Sequence, residues 1–171
     1  MKTLIIAVFL TLAFSATGLA QKCKEYSTPT GTFAFCPPAG WVMSKDAAGK
    51  GVDFNAPEQP DMFSAVISVD EDVVPVDRDM LAYQLIQGEL KAKDYENPRL
   101  VSVRDVETAS GVKGTELVFF LEMKAIPFVQ TFYIFEGPKN LKLTFTLTGP
   151  QHDKDLPKIV TESMKTVRLK K

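Results

Sequence analysis

The sequence predicts an α+β fold: a mostly antiparallel β-sheet flanked by helices on both faces. Short segments that alternate apolar and polar residues recur along the chain, and the turns between them are only a few residues long. Such turns join antiparallel neighbours. Two stretches, at about 78–93 and about 153–165, instead repeat apolar residues at helical spacing. The run Leu117-Val118-Phe119-Phe120-Leu121 is apolar on both faces, which predicts a central strand covered on both sides and so one helix per face.

Taken in order, Met1-Lys2 is a short positive start, and Leu4 to Phe14 is an apolar run broken only by Thr11. Small residues follow, with Gly18 and Ala20 at the −3 and −1 places of a cleavage site. Residues 1–20 therefore read as a Sec-type signal peptide that is removed. The rival reading is a membrane anchor, but a span needs about 20 apolar residues and this run is shorter. No later run is long enough to span, so the expected product is exported, periplasmic or secreted, and not membrane-spanning. Residues 21–31 read as an N-terminal arm and 32–171 as a single domain.

In an oxidising compartment the even pair Cys23 and Cys36 reads as a disulfide tying the arm to the end of the first strand. The alternative is one buried and one exposed free thiol. Neither cysteine belongs to a C-x-x-C motif, so redox catalysis is not expected.

Thr32 to Cys36 alternates and reads as a strand, stopped by Pro37-Pro38-Ala39-Gly40. Short strands follow at Trp41–Met43 and Val52–Ala56, and then Met62–Val69. The acidic stretch Asp70-Glu71-Asp72 reads as a solvated loop leading to Pro75 and to Asp77, a helix N-cap. Leu81, Ala82, Leu85, Ile86 and Leu90 form the apolar stripe of the first helix. Four strands come next, at Leu100–Thr108, Thr115–Lys124, Phe128–Glu136 and Leu141–Thr148. In the last, Leu141, Leu143, Phe145 and Leu147 share one face. The closing helix buries Leu156, Ile159, Val160, Met164 and Val167, and Thr166–Leu169 adds a terminal edge strand.

Composition excludes several functions. The chain carries 20 Lys+Arg against 21 Asp+Glu and has no basic run, so no nucleic-acid partner is expected. One His and two Cys are too few for a structural zinc site. The carboxylates Asp70, Glu71, Asp72, Asp77 and Asp79 lack the calcium-loop pattern and are split by Pro75. No metal site and no cofactor are predicted. No G-x-S-x-G or H-E-x-x-H motif occurs, and His152, the sole histidine, sits among polar residues near a helix start. Around Gly49-Lys50-Gly51 a phosphate loop would need Gly where Ser44 stands and Ser or Thr where Gly51 stands. Ser110-Gly111-Val112-Lys113 has S-x-x-K spacing but reads as a hairpin turn, and Gly111-Val112-Lys113-Gly114 lacks the helices of a KH loop. No catalytic residue is assigned.

The order Phe33-x-Phe35-x-x-Pro38-x-Gly40-Trp41, one mid-chain helix, Gly111 and Gly114 at a hairpin, Gln130-x-x-Tyr133, and Ile159-Val160-x-x-Ser163-x-Lys165 resembles the PsbP-like group and the related DcrB-like domains. Met164 stands where that group's closing helix has an aromatic residue. The resemblance spans about 32–169 and implies an α-β-α sandwich in an accessory or adaptor protein. The photosynthetic subunit's metal-binding His and basic N-terminal extension have no counterpart here, so the resemblance gives no ground for a photosystem role. The expected function is that of an exported, non-catalytic accessory or binding protein whose partner is another envelope protein or complex. The alternatives are a small secreted hydrolase and a metal or small-ligand carrier.

Overall fold

The computed structural model describes residues 23–45, 51–57, 65–73, 78–90, 95–150 and 155–171. Among these residues, ten strands and two α-helices follow in the order β1 (Tyr26–Ser27), β2 (Phe33–Phe35), β3 (Val42–Lys45), β4 (Val52–Asn55), β5 (Val66–Val73), α1 (Arg78–Gln84), β6 (Glu96–Glu107), β7 (Lys113–Met123), β8 (Ile126–Glu136), β9 (Leu141–Pro150), α2 (Leu156–Met164) and β10 (Arg168–Leu169). A π-helical turn, Leu85–Leu90, extends α1, and a 3₁₀ turn, Pro138–Asn140, joins β8 to β9.

The large sheet has seven strands in the order β3-β4-β5-β9-β8-β7-β6, and every pairing is antiparallel. The chain runs β3-β4-β5 as a meander, crosses by α1 to the far edge, and returns through β6-β7-β8 to set β9 beside β5. A second, three-stranded sheet has the order β1-β2-β10.

Two apolar clusters hold these layers. In the first, Phe54, Ile67, Val69, Tyr133, Phe135, Leu143, Phe145 and Leu147 of the large sheet meet Phe33 and Phe35 of β2 and Leu156, Val160 and Met164 of α2. Phe145 lies at its centre, edge-on to Phe35 with ring centroids 4.7 Å apart and to Phe135 at 5.8 Å. In the second, Leu117, Phe119, Leu121, Phe128, Phe132 and Ile134 pack with Leu81, Leu85 and Ile86. Phe132 and Ile134 belong to one cluster, and Tyr133 and Phe135 to the other. Neighbouring residues of a strand point to opposite faces, so β8 is covered on both.

Several boundaries differ from the sequence reading. Covering on both faces falls on β8, not on 117–121: β7 is next to the edge, and Val118 and Phe120 are only half-buried. Asp70, Glu71 and Asp72 are not a loop but the continuation of β5, paired with Thr144, Leu143 and Lys142 of β9. Glu71 earns that place through its hydrogen bonds. It accepts from the Thr28 hydroxyl at 2.9 Å, the Thr30 hydroxyl at 2.7 Å and the Thr30 amide at 3.1 Å, closing the turn ahead of β2. Tyr26–Ser27, read as arm, pairs with Phe35 and Ala34. Asn97-Pro98, ahead of the strand read from Leu100, lies inside β6 at a register irregularity. Ile159, assigned to the buried side of the last helix, is 42% exposed. The acidic N-cap Asp77 and the start of the strand read from Met62 fall outside the described residues. Among the described residues no helix is long and apolar enough to cross a membrane.

Candidate functional site

Cys23 and Cys36 are joined by a disulfide, with Cα atoms 5.7 Å apart and 13 residues of sequence separation. Cys36 directly follows β2, so the bond pins the chain ahead of β1 to the end of that strand. The backbone of Cys36 is held from α2 and its C-terminal turn. Its amide donates to the Thr166 hydroxyl oxygen at 2.8 Å, and its carbonyl accepts from the Ser163 hydroxyl. Thr166 in turn donates to the Ser163 carbonyl at 2.6 Å.

Beside this bond lies an open groove of about 660 Å³. The two cysteines, Pro37, Pro38 and Ala39 wall one side, and Ile159 and Ser163 of α2 wall the other. Asp155, Lys158, Glu162 and Thr166 also line it. Next to the groove, Pro38-Ala39-Gly40-Trp41 turns the chain sharply. Gly40 has φ +80°, and the Trp41 amide donates to the Pro38 carbonyl at 3.2 Å. A side chain at a φ of that sign is strained, so glycine suits the position. Trp41 then packs against the first cluster.

A buried polar group sits on the same side of the sheet. Glu116 of β7 is 3% exposed and forms an ion pair with the Nε of Arg104, its neighbour on β6; a second guanidinium nitrogen donates to its carboxylate at 2.8 Å. Glu116 holds the Arg104 guanidinium above its usual range. Tyr133, opposite Glu116 on β8, is hydrogen-bonded to Thr161 of α2 and to Glu116. Its phenol is pushed up to about 12, chiefly by burial and further by the Glu116 charge, against the opposing hydrogen bond with Thr161 and the charge of Arg104. The sequence signal for this group was a lone acid beside an apolar run, in register with an arginine on the preceding strand. Reading it requires the register of β6 on β7, which the turn between the two strands sets.

Other residues singled out from the sequence do not converge on either place. Ser110 donates to the Val167 carbonyl at 2.7 Å and so anchors the hairpin turn to the chain after α2. Gln130 donates to Thr148 Oγ1 at 3.1 Å, while its buried Oε1 has no partner among the described residues. Among the described residues no three His, Cys, Asp or Glu side chains gather as a metal group. His152 and Gly49-Lys50 fall outside the described residues.

No family model matches the chain, and no curated protein matches it. Solved structures do. Cyanobacterial PsbP (CyanoP) from Synechocystis is similar with a TM-score of 0.66 at 14% identity, over 86% of this chain and 92% of that one. The chain has the PsbP-like fold. The Ran-binding protein Mog1p of Saccharomyces cerevisiae is similar to it with a TM-score of 0.61 at 9% identity, over 85% of this chain and 94% of its own. LpqN of Mycobacterium tuberculosis, described as involved in cell envelope biogenesis, has a TM-score of 0.50 at 9% identity, over 81% and 83%.

Within the PsbP-like fold, the two ends of the resemblance meet. Phe33 and Phe35 of the opening motif, Tyr133 of β8 and Val160 of the closing helix share one cluster, and Ser163 of that helix binds the carbonyl of Cys36.

Proposed function

We propose that this chain is an exported, non-catalytic accessory or binding protein of the cell envelope, and that the groove beside Cys23–Cys36 is where a partner docks. The observation that carries the proposal is the disulfide forming one wall of an apolar groove. A disulfide persists in oxidising compartments, which agrees with residues 1–20 acting as a removable signal peptide. An open apolar surface on a rigid scaffold suits docking. A structural neighbour described as Ran-binding supports a binding role, and one described as involved in cell envelope biogenesis supports the envelope setting. Residues 21–31 then form an arm and 32–171 a single domain. The proposed layering is an α-β-α sandwich with one helix per face, supported by Leu81 and Leu85 in one cluster and Leu156 and Val160 in the other. The partner is another envelope protein or complex, not nucleic acid.

Expression of the full chain in a bacterial host, followed by fractionation and mass analysis, tests the export half. The expected product begins at Gln21, lies in the periplasm or medium, and has both cysteines closed to alkylation. A cytosolic product that keeps residues 1–20 and alkylates at both cysteines overturns it. A photo-crosslinking residue at Ile159 tests the docking half. It is expected to trap a single envelope protein that the same residue at Lys139, on the turn between β8 and β9, does not trap. Equal trapping from both sites overturns it.

The groove's size favours a second reading, a small-ligand carrier, because ligand sites commonly enclose about 300–1,000 Å³. A ligand that binds only the folded chain raises its melting temperature. A rise that Ile159→Glu abolishes would favour the carrier.

A further inference from the structure

We propose that the Cys23–Cys36 bond is a thiol-exchange site entered from the groove, where the Cys23 sulfur takes the incoming thiolate and the chain ahead of β1 is released while the rest of the fold persists. Access is the first ground. Both cysteines line the open groove, Cys23 is exposed and Cys36 is half-buried. Exchange requires a thiolate to reach a sulfur, and an accessible sulfur is the one attacked.

The second ground is the unequal hold on the two residues. Cys36 continues a wholly buried strand and has its amide and carbonyl fixed by Thr166 and Ser163. Cys23 makes no hydrogen bond among the described residues, so the disulfide is its anchor. Glu25 meets Arg168 at 2.9 Å, but both side chains are well exposed, and exposed pairs hold weakly. The first firm attachment is Tyr26, whose ring packs edge-on against Phe35 and Phe54 with centroids 5.5 and 5.6 Å away. Breaking the bond therefore frees residues 23–25, stops at Tyr26, and takes Cys23 out of the groove wall while Cys36 and Pro37 to Ala39 stay.

The step balances with a thiol as co-reactant. A thiolate R–S⁻ forms a bond to Cys23 Sγ. The Sγ–Sγ bond breaks, and its electron pair leaves on Cys36 as a thiolate. A second thiolate attacks the R sulfur of the mixed disulfide, giving R–S–S–R and the Cys23 thiolate. Two thiols are oxidised, the protein disulfide is reduced by two electrons, and the two protons end on Cys23 and Cys36. The charged groups lining the groove are Asp155, Lys158 and Glu162, and Glu162 pairs with Lys165 at 3.1 Å. These charges cancel, so the pH dependence follows the attacking thiol.

The test uses the purified oxidised protein and reduced glutathione, with acid quenching, peptide mass mapping and hydrogen exchange, and its result is independent of where the protein resides in a cell. The expected result is a glutathione adduct on the Cys23 peptide without denaturant. Its rate should rise about tenfold from pH 6.5 to 7.5, as the thiolate fraction of a thiol with pKa near 8.5 does. Amide protection should hold in β1, β8 and β9. An adduct on Cys36, no reaction until denaturant is added, or protection lost throughout β8 and β9 would each overturn the proposal. A Cys23→Ser/Cys36→Ser variant should keep the same protection in β1, β8 and β9. If that variant does not fold, the adduct position on the unaltered protein still decides.

Discussion

Tyr133 links the protonation of one phenol to the stability of the whole sheet. It is 4% exposed and lies between Glu116 and Thr161, with its pKa raised from 10.0 to about 12. Below pH 10 the phenol is neutral in both the folded and the unfolded chain. Between pH 10 and 12 the unfolded chain has lost this proton and the folded chain keeps it, so the folded state binds more protons and stability falls as pH rises. The slope is about 1.4 kcal/mol per pH unit. Over the two units it amounts to roughly 3 kcal/mol, the full contribution being present below pH 10 and gone above 12. Urea unfolding of the native sequence and of Tyr133→Phe at pH 9, 10, 11 and 12 isolates the effect. The variant keeps the ring and discards the ionisable oxygen. Tyr26, also raised by its burial and by the Glu71 charge, contributes equally to both proteins. At pH 9 the variant should be about 1 kcal/mol less stable, for the lost hydrogen bond. By pH 12 it should be the more stable of the two. A gap that stays constant across the series would refute the placement of the phenol in a buried, carboxylate-facing site.

Three further outcomes follow from the packing. Replacing both Cys23 and Cys36 by Ser should lower stability by about 3 kcal/mol in urea, the chain-entropy value for a loop of 13 residues' separation. Phe145→Ala should cost about 3–5 kcal/mol, because this wholly buried ring touches Phe35 and Phe135; a thermal midpoint within a few degrees of the native sequence would show that the site collapses to fill the space. Gly114→Ala should destabilise more than Gly111→Ala. A Cβ at 114 would lie 2.6 Å from the Ile134 carbonyl oxygen and 2.8 Å from Phe135, whereas one at 111 would meet only Glu107 Oε1 at an ordinary 3.7 Å and carry the cost of φ +82°, about 1–2 kcal/mol. Equal midpoints for the two would refute the close approach of β7 to β8.

Much of the candidate site was legible before the fold was known. An even cysteine pair behind an export-type segment pointed to the bridge, and Pro38-x-Gly40-Trp41 pointed to the turn beside the groove. The groove itself was not legible, because helical spacing assigned Ile159 to the buried side and only the position of α2 beside the 36–39 segment leaves it exposed. Glu71 misled for a related reason. Three consecutive acids look like a solvated loop until Thr28 and Thr30, about forty residues earlier, supply the hydrogen bonds that let β5 continue.

Periodicity, turn residues and composition determined, from the sequence alone, the strands of the meander, the two helices and the antiparallel class, because each depends on neighbours near in the chain or on a simple count; the even cysteine count suggested the disulfide that the structure then closed. Only the tertiary structure decided that β8 rather than β7 is covered on both faces, that Tyr26–Ser27 is a strand, and that Glu116 is buried under Arg104. Those outcomes depend on which strands lie side by side, and backbone hydrogen bonds pair strands through groups that every residue carries alike.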